Sequence, residues 1–173
     1  MKKAGLLILC LVFLLSLCGC RGKKTAVGVT AAGLSYEAVV QDGESTYRIA
    51  ACIEADGASR FTVIQPEQLK DFSFAFLNDS TVESYRKNLK FTPDLAAIPY
   101  GGALRRLYEI HRYFRENGYS VFCENRVYTA SGYAGKVPFV LTVSPAGLPI
   151  SARFDDGMTV EFSGVRLTGE SET

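Results

Sequence analysis

The chain has 173 residues, 47% of them hydrophobic and 21% charged, with 19 Lys and Arg against 18 Asp and Glu. A balance this even excludes binding that rests on a basic surface, so no nucleic-acid partner is expected. One histidine among 173 residues gives no spacing of metal ligands, and neither a metal nor a cofactor is expected.

At the N-terminus, Lys2 and Lys3 precede an uncharged apolar stretch, Ala4 to Leu17, and then the small Gly19. A cationic start, an apolar middle and a small-residue end are the layout of a secretory signal. The stretch is shorter than the roughly 20 residues a spanning helix needs. Arg21, Lys23 and Lys24 follow it with no second apolar segment. Leu17-Cys-Gly-Cys20 resembles the lipobox of bacterial lipoproteins. That resemblance implies cleavage before Cys20, transfer of diacylglycerol to its sulfur as a thioether, and a lipid anchor on the extracytoplasmic face of the cell membrane. An ordinary secreted protein cut nearby is the alternative. Residues 20–33 are small and weakly patterned, and read as a flexible tether reaching on the order of 20 Å. Residues 34–168 then form one domain, and residues 169–173 a polar tail.

Period-two alternation dominates the domain. Leu34, Tyr36, Ala38 and Val40 share one face of a strand, and Tyr47, Ile49, Ala51 and Ile53 one face of the next, with Asp42-Gly43-Glu44 between them as a hairpin turn. A second Asp-Gly, at 56–57, leads into Arg60 to Gln65, which Pro66 ends. Phe72, Phe74 and Phe76 place three rings on one face of a further strand. From about Tyr100 to Asn117 the period changes: Leu104, Leu107, Tyr108, Ile110, Tyr113 and Phe114 recur at three and four, and Gly118 closes an amphipathic helix. Alternation resumes in 119–130, 137–143, 150–155 and 158–166, with Ser131 to Gly135 read as a hairpin loop and Asp156-Gly157 as a tight turn. The coarse count is eight to nine antiparallel strands.

That count constrains the shape. Eight or nine strands at about 4.8 Å span roughly 40 Å, whereas a helix with its side chains is about 10–12 Å across. One helix cannot cover a flat sheet of that width, so an α+β domain with a strongly curved antiparallel sheet, an unclosed half-barrel around one main helix, is expected. The segments "QPEQLKDFSFAF", "PYGGALRRLYEIHRYF" and "GKVPFVLTVSPAGLPISARFDDGMTVEFSGV" come in an order that resembles the LolA-like superfamily of lipoprotein carriers, which includes mycobacterial lipid-binding lipoproteins and regulators of anti-sigma factors. The resemblance covers about residues 34–166. It implies strands wrapped over helices and an apolar cavity that holds acyl chains.

Candidate ligand-cavity residues are Phe72, Phe74, Phe76, Leu104, Tyr108, His111 and Phe139, all on the apolar face of the sheet or helix. The three phenylalanines could instead fill the core under the helix. His111, the single histidine, is expected to be packed and hydrogen-bonded rather than catalytic. Asp155 and Asp156 point to opposite faces of a strand and suit a turn better than acid-base work. Arg105, Arg106, Arg112, Lys87 and Lys90 could face anionic headgroups, or could be a solvated face balanced by Glu109 and Glu116. Once the signal leaves and Cys20 is acylated, Cys52 and Cys123 remain, and could pair outside the cytoplasm or stay separate thiols. No nucleophile, base and orienting group come together, so no catalytic residue is named and an enzyme is not expected. Two expectations follow: a membrane-anchored, non-catalytic module binding a lipid or other apolar ligand, or an envelope lipoprotein with a packed core that acts through a protein partner.

Overall fold

Residues 25–26, 33–79, 81–87, 89–98, 100–118 and 120–168 are described by the structure, a computed structural model. The leader, Cys20, most of the tether and the polar tail lie outside the described residues. In chain order the strands are β1 Thr25–Ala26, β2 Gly33–Asp42, β3 Ser45–Ile53, β4 Ser59–Gln65, β5 Ser73–Phe76, β6 Val82–Arg86 and β7 Leu89–Phe91. Helix α1, Gly101–Asn117, follows, and then β8 Ser120–Glu124, β9 Val127–Ala134, β10 Val137–Val143, β11 Pro149–Phe154 and β12 Thr159–Thr168. All twelve strands form one antiparallel sheet in the order β1-β8-β9-β10-β11-β12-β2-β3-β4-β5-β6-β7. The sheet does not close, because β1 and β7 are not neighbours.

The sheet must be curved, and its contacts show how. Twelve flat strands would span about 50 Å, yet α1, 17 residues long, touches strands far apart in that order. Tyr108 stacks on Phe76 of β5 with ring centroids 4.9 Å apart, and His111 meets Tyr36 of β2. Phe114 lies edge-on to Phe139 of β10 at 5.6 Å. A single buried core runs from β2 to β6, through α1, and on through β8 to β12. The expected α+β half-barrel around one main helix is therefore present.

Small residues set where the helix lies. The inner face of β9 presents Ala130, Gly132 and Ala134, all buried. A Cβ on Gly132 would stand 2.4 Å from the Tyr113 ring and 2.9 Å from Phe139, so only a glycine lets α1 come this close. Ser131 to Gly135 was expected to be a hairpin loop, and this is corrected: residues 131–134 continue β9, and the turn falls at Gly135-Lys136.

The strand count exceeds eight to nine for three reasons. The run 119–130 breaks into β8 and β9 at Asn125 and Arg126, whose φ of 50° and 67° make the tight turn that strand twist favours. A hairpin, β6 and β7, occupies 82–91, where Lys87 takes a φ of 54°. Thr25 and Ala26 of the expected tether pair with Val121 and Ser120 at the β8 edge. Elsewhere one turn recurs. In Glu54–Ala58, Ser144–Leu148 and Phe154–Met158 the first residue's amide donates to the fifth residue's carbonyl at 2.8–2.9 Å, with a positive-φ glycine fourth.

Candidate functional site

The seven residues proposed from the sequence as cavity lining fall mostly in the filled core. Phe74 and Phe76 are fully buried, Phe76 between the rings of Phe61 and Tyr108, and Phe74 edge-on to Tyr100 at 5.7 Å. Phe72 lies just before β5, half-buried, with the Arg86 guanidinium 4.7 Å above its ring. Leu104 and Phe139 are buried in the same core. Tyr108 adds a polar tip: its hydroxyl donates to Asp79 Oδ1 at 3.0 Å, and burial together with that carboxylate raises its pKa above the usual phenol value. Of the seven, His111 lines an apolar cavity.

That cavity, of about 60 Å³, lies at the end of the half-barrel marked by the turns 54–58 and 144–148. Ile110, His111 and Phe114 of α1 form its floor, and Leu34, Ile53, Leu141 and Phe162 its walls. Glu54, Gly57, Arg115 and Gly147 stand at its mouth. The helix reaches this end because its last two turns carry Ile110, Phe114 and Arg115 at helical spacing, so two face the sheet while Arg115 reaches the rim. The sequence already placed Ile110 and Phe114 on the apolar stripe. That Leu34 and Phe162 would meet them is fixed by the curl of the sheet, which alternation within single strands does not report.

Two polar groups are built into the wall. His111 Nε2 lies 2.8 Å from the Tyr36 hydroxyl, and one donates to the other. Desolvation lowers the His111 pKa to about 4, so the imidazole is neutral at pH 7. The same burial raises the Tyr36 phenol far above its ordinary value. Neither group ionises near neutrality, and the pair acts as a hydrogen-bonded unit within an apolar wall.

The basic residues on α1 are largely paired. Arg105 bonds Glu109 at 2.9 Å, Arg112 bonds Glu116 at 2.8 Å and Asp79 at 2.7 Å, and Arg106 pairs with Asp156. Lys90 pairs with Glu83 at 2.7 Å, and burial-independent hydrogen bonding to Lys90 and Tyr85 pulls the Glu83 carboxyl below its usual value. The side chains weighed as a headgroup patch are thus mostly neutralised locally. Asp156 also accepts from the Met158 amide at 3.3 Å, a turn role.

Cys52 and Cys123 are both free, one of the two arrangements that the sequence left open. Cys52 alternates with the buried Ala51 and Ile53, so it faces outward from β3, where its thiol lies 3.6 Å from a Glu54 oxygen. Cys123 shares the inward side of β8 with the buried Val121. Six steps of the strand order separate β3 from β8. Among the described residues, no group of three His, Cys, Asp or Glu side chains is placed to hold a metal ion.

Fold and site together define an unclosed half-barrel with a small apolar cavity beside the long helix α1. Solved structures similar to this chain include an uncharacterized conserved protein from Thermus thermophilus, with 12% identity, a TM-score of 0.48, and coverage of 84% of this chain and 85% of that one. Another is a LolA superfamily protein from Nitrosomonas europaea, at 9% identity and TM-score 0.40, covering 85% of this chain and 96% of that one. A third is the Pseudomonas aeruginosa MucA/MucB complex, at 9% identity and TM-score 0.42, covering 84% of this chain and 56% of that one. No family model and no curated protein matches. At such identities and scores these likenesses transfer no residue role and no activity.

Proposed function

We propose that this chain is an extracytoplasmic lipoprotein, anchored to the cell membrane through Cys20, whose half-barrel is a non-catalytic binding module for a lipid or other small apolar ligand in transport or sensing. The observation that carries the binding reading is the apolar cavity between α1 and the sheet, open at the 54–58 and 144–148 turns. An unfilled apolar space in an otherwise packed core is where an apolar group gains most by leaving water. Native mass spectrometry of the purified chain is expected to show a co-purifying lipid, and a fluorescent fatty acid is expected to be taken up. Absence of both would overturn the reading. The anchor rests on the leader and on Leu17-Cys-Gly-Cys20. Mass spectrometry of the mature N-terminus is expected to find a diacylglyceryl thioether on Cys20, and an unmodified cysteine there would remove it.

A second reading rests on a different place. Strand β7 ends the sheet and carries Leu89, 70% exposed, and Phe91, 42% exposed, beside Arg86 and Lys87. An edge with free backbone groups and apolar side chains is the template on which an extended peptide adds a strand. An envelope protein partner would bind there, and a stoichiometric pull-down lost on Leu89→Lys would favour this reading.

A further inference from the structure

Arg115 differs from the other arginines of α1. Arg105, Arg106 and Arg112 each meet a carboxylate, whereas among the described residues Arg115 has no ion-pair partner. Its Nη1 donates to the Asp56 carbonyl at 3.2 Å. A Cβ on Gly57 would stand 0.9 Å from that Nη1, so the glycine, at a φ of 95°, makes the bed in which the guanidinium lies. The group is thereby held where two spaces meet: it lines the mouth of the apolar cavity, and also a wider polar groove with Asp79, Tyr108 and Glu116.

The surrounding acids are already engaged. Asp79 and Glu116 are bound by Arg112, Asp79 also by the Tyr108 hydroxyl, and Asp56 Oδ1 accepts the Ala58 amide at 2.9 Å. Glu54, at the same mouth, turns an oxygen toward Cys52 on the outer face of β3. Glu54 keeps its charge at the exposed rim, while Arg115 is the cation that lines the apolar cavity, held by a backbone carbonyl and not by a carboxylate. We propose that the cavity takes an aliphatic monocarboxylate, with its chain against Ile110, Phe114 and Phe162 and its carboxylate on the Arg115 guanidinium. This rests on the apolar-ligand reading above and adds the headgroup. A cavity of about 60 Å³ is well under the roughly 300–1,000 Å³ of drug-sized sites, so it takes a short chain or part of a longer one, and a short chain is the fitting probe.

Titration calorimetry of the full-length chain with sodium hexanoate, hexan-1-ol and hexylamine at fixed ionic strength tests it. Hexanoate is expected to bind about tenfold more tightly than hexanol, the size of one charge-assisted hydrogen bond, and hexylamine more weakly than either. Arg115→Gln is expected to erase the preference for hexanoate while leaving hexanol binding intact. Arg106→Gln, which alters a paired arginine of the same helix whose partner Asp156 is away from the mouth, is expected to keep the preference. Equal affinity for hexanoate and hexanol, or a preference that survives Arg115→Gln, overturns the carboxylate site but leaves the apolar-ligand reading standing. Binding of neither compound overturns both.

Discussion

His111 is a residue whose charge state between pH 4 and 7 the fold controls. With a pKa of about 4 in the folded chain against about 6.5 when unfolded, the unfolded state binds more protons throughout that interval. The sign follows: the stability that goes with a neutral His111 is complete above about pH 6.5 and is lost as the pH falls toward 4. Up to about 3 kcal/mol rides on the difference. Urea unfolding between pH 4 and 7.5 is expected to show this slope in the wild-type chain and a flatter one in His111→Gln. Equal slopes would mean that the imidazole is solvated. Ser84 makes a contrasting case. It lies in β6, fully buried between Phe74 and Phe91 in register, and its Oγ has no hydrogen-bond partner among the described residues. A buried hydroxyl without a partner costs the fold its desolvation, so Ser84→Ala is expected to stabilise by about 1 kcal/mol, read as a higher Tm. A lower Tm would show that the oxygen is satisfied after all.

The contact between α1 and β9 decides how the sheet wraps, and it depends on one missing side chain. Gly132→Val would drive methyl groups into Tyr113 and Phe139, two rings that also pack against Phe114. Overpacking of this kind costs about 1–3 kcal/mol, and the expected result is a lower urea midpoint with an unchanged m-value. Gly132→Ala should lie between. A neutral effect of both would mean that the helix slides freely over β9. The same place shows what the sequence could and could not tell. The alternation of β2 to β4 and β10 to β12, and the stripe of α1, were legible because each buries one whole face and so repeats its period. Gly132 looked like a loop residue because a glycine that admits a helix and one that makes a turn are identical in a single sequence. β7 was invisible because Leu89, Lys90 and Phe91 are all exposed and leave no burial period to read. The β8–β9 turn was missed because Asn125 and Arg126 take positive φ without a glycine. The cavity was illegible for a further reason: Leu34, Ile110, Leu141 and Phe162 are brought together only when the whole sheet curls.

For the molecule as a whole, the cavity and the exposed β7 edge represent competing sites, and one perturbation separates them. Leaving about 60 Å³ of apolar space empty forgoes up to about 1.5 kcal/mol at the usual cost per unit of cavity volume, less where the mouth admits water. A fold that packs Phe61, Phe74, Phe76, Phe139 and Phe154 to full burial has the side chains to fill it. Where stability is forgone in this way, the space is a candidate for use. Leu34→Phe and Leu141→Phe each push a larger ring into the cavity from opposite walls, far from β7 in the strand order. Either is expected to raise Tm by filling the void, and both to abolish uptake of hexanoate and of a fluorescent fatty acid. Capture of a protein partner through β7 is expected to be unchanged. If filled variants still take up the apolar probe at wild-type affinity, the ligand does not enter between α1 and the sheet. The edge of β7, with Leu89 and Phe91 turned to solvent, then becomes the surface through which the chain works.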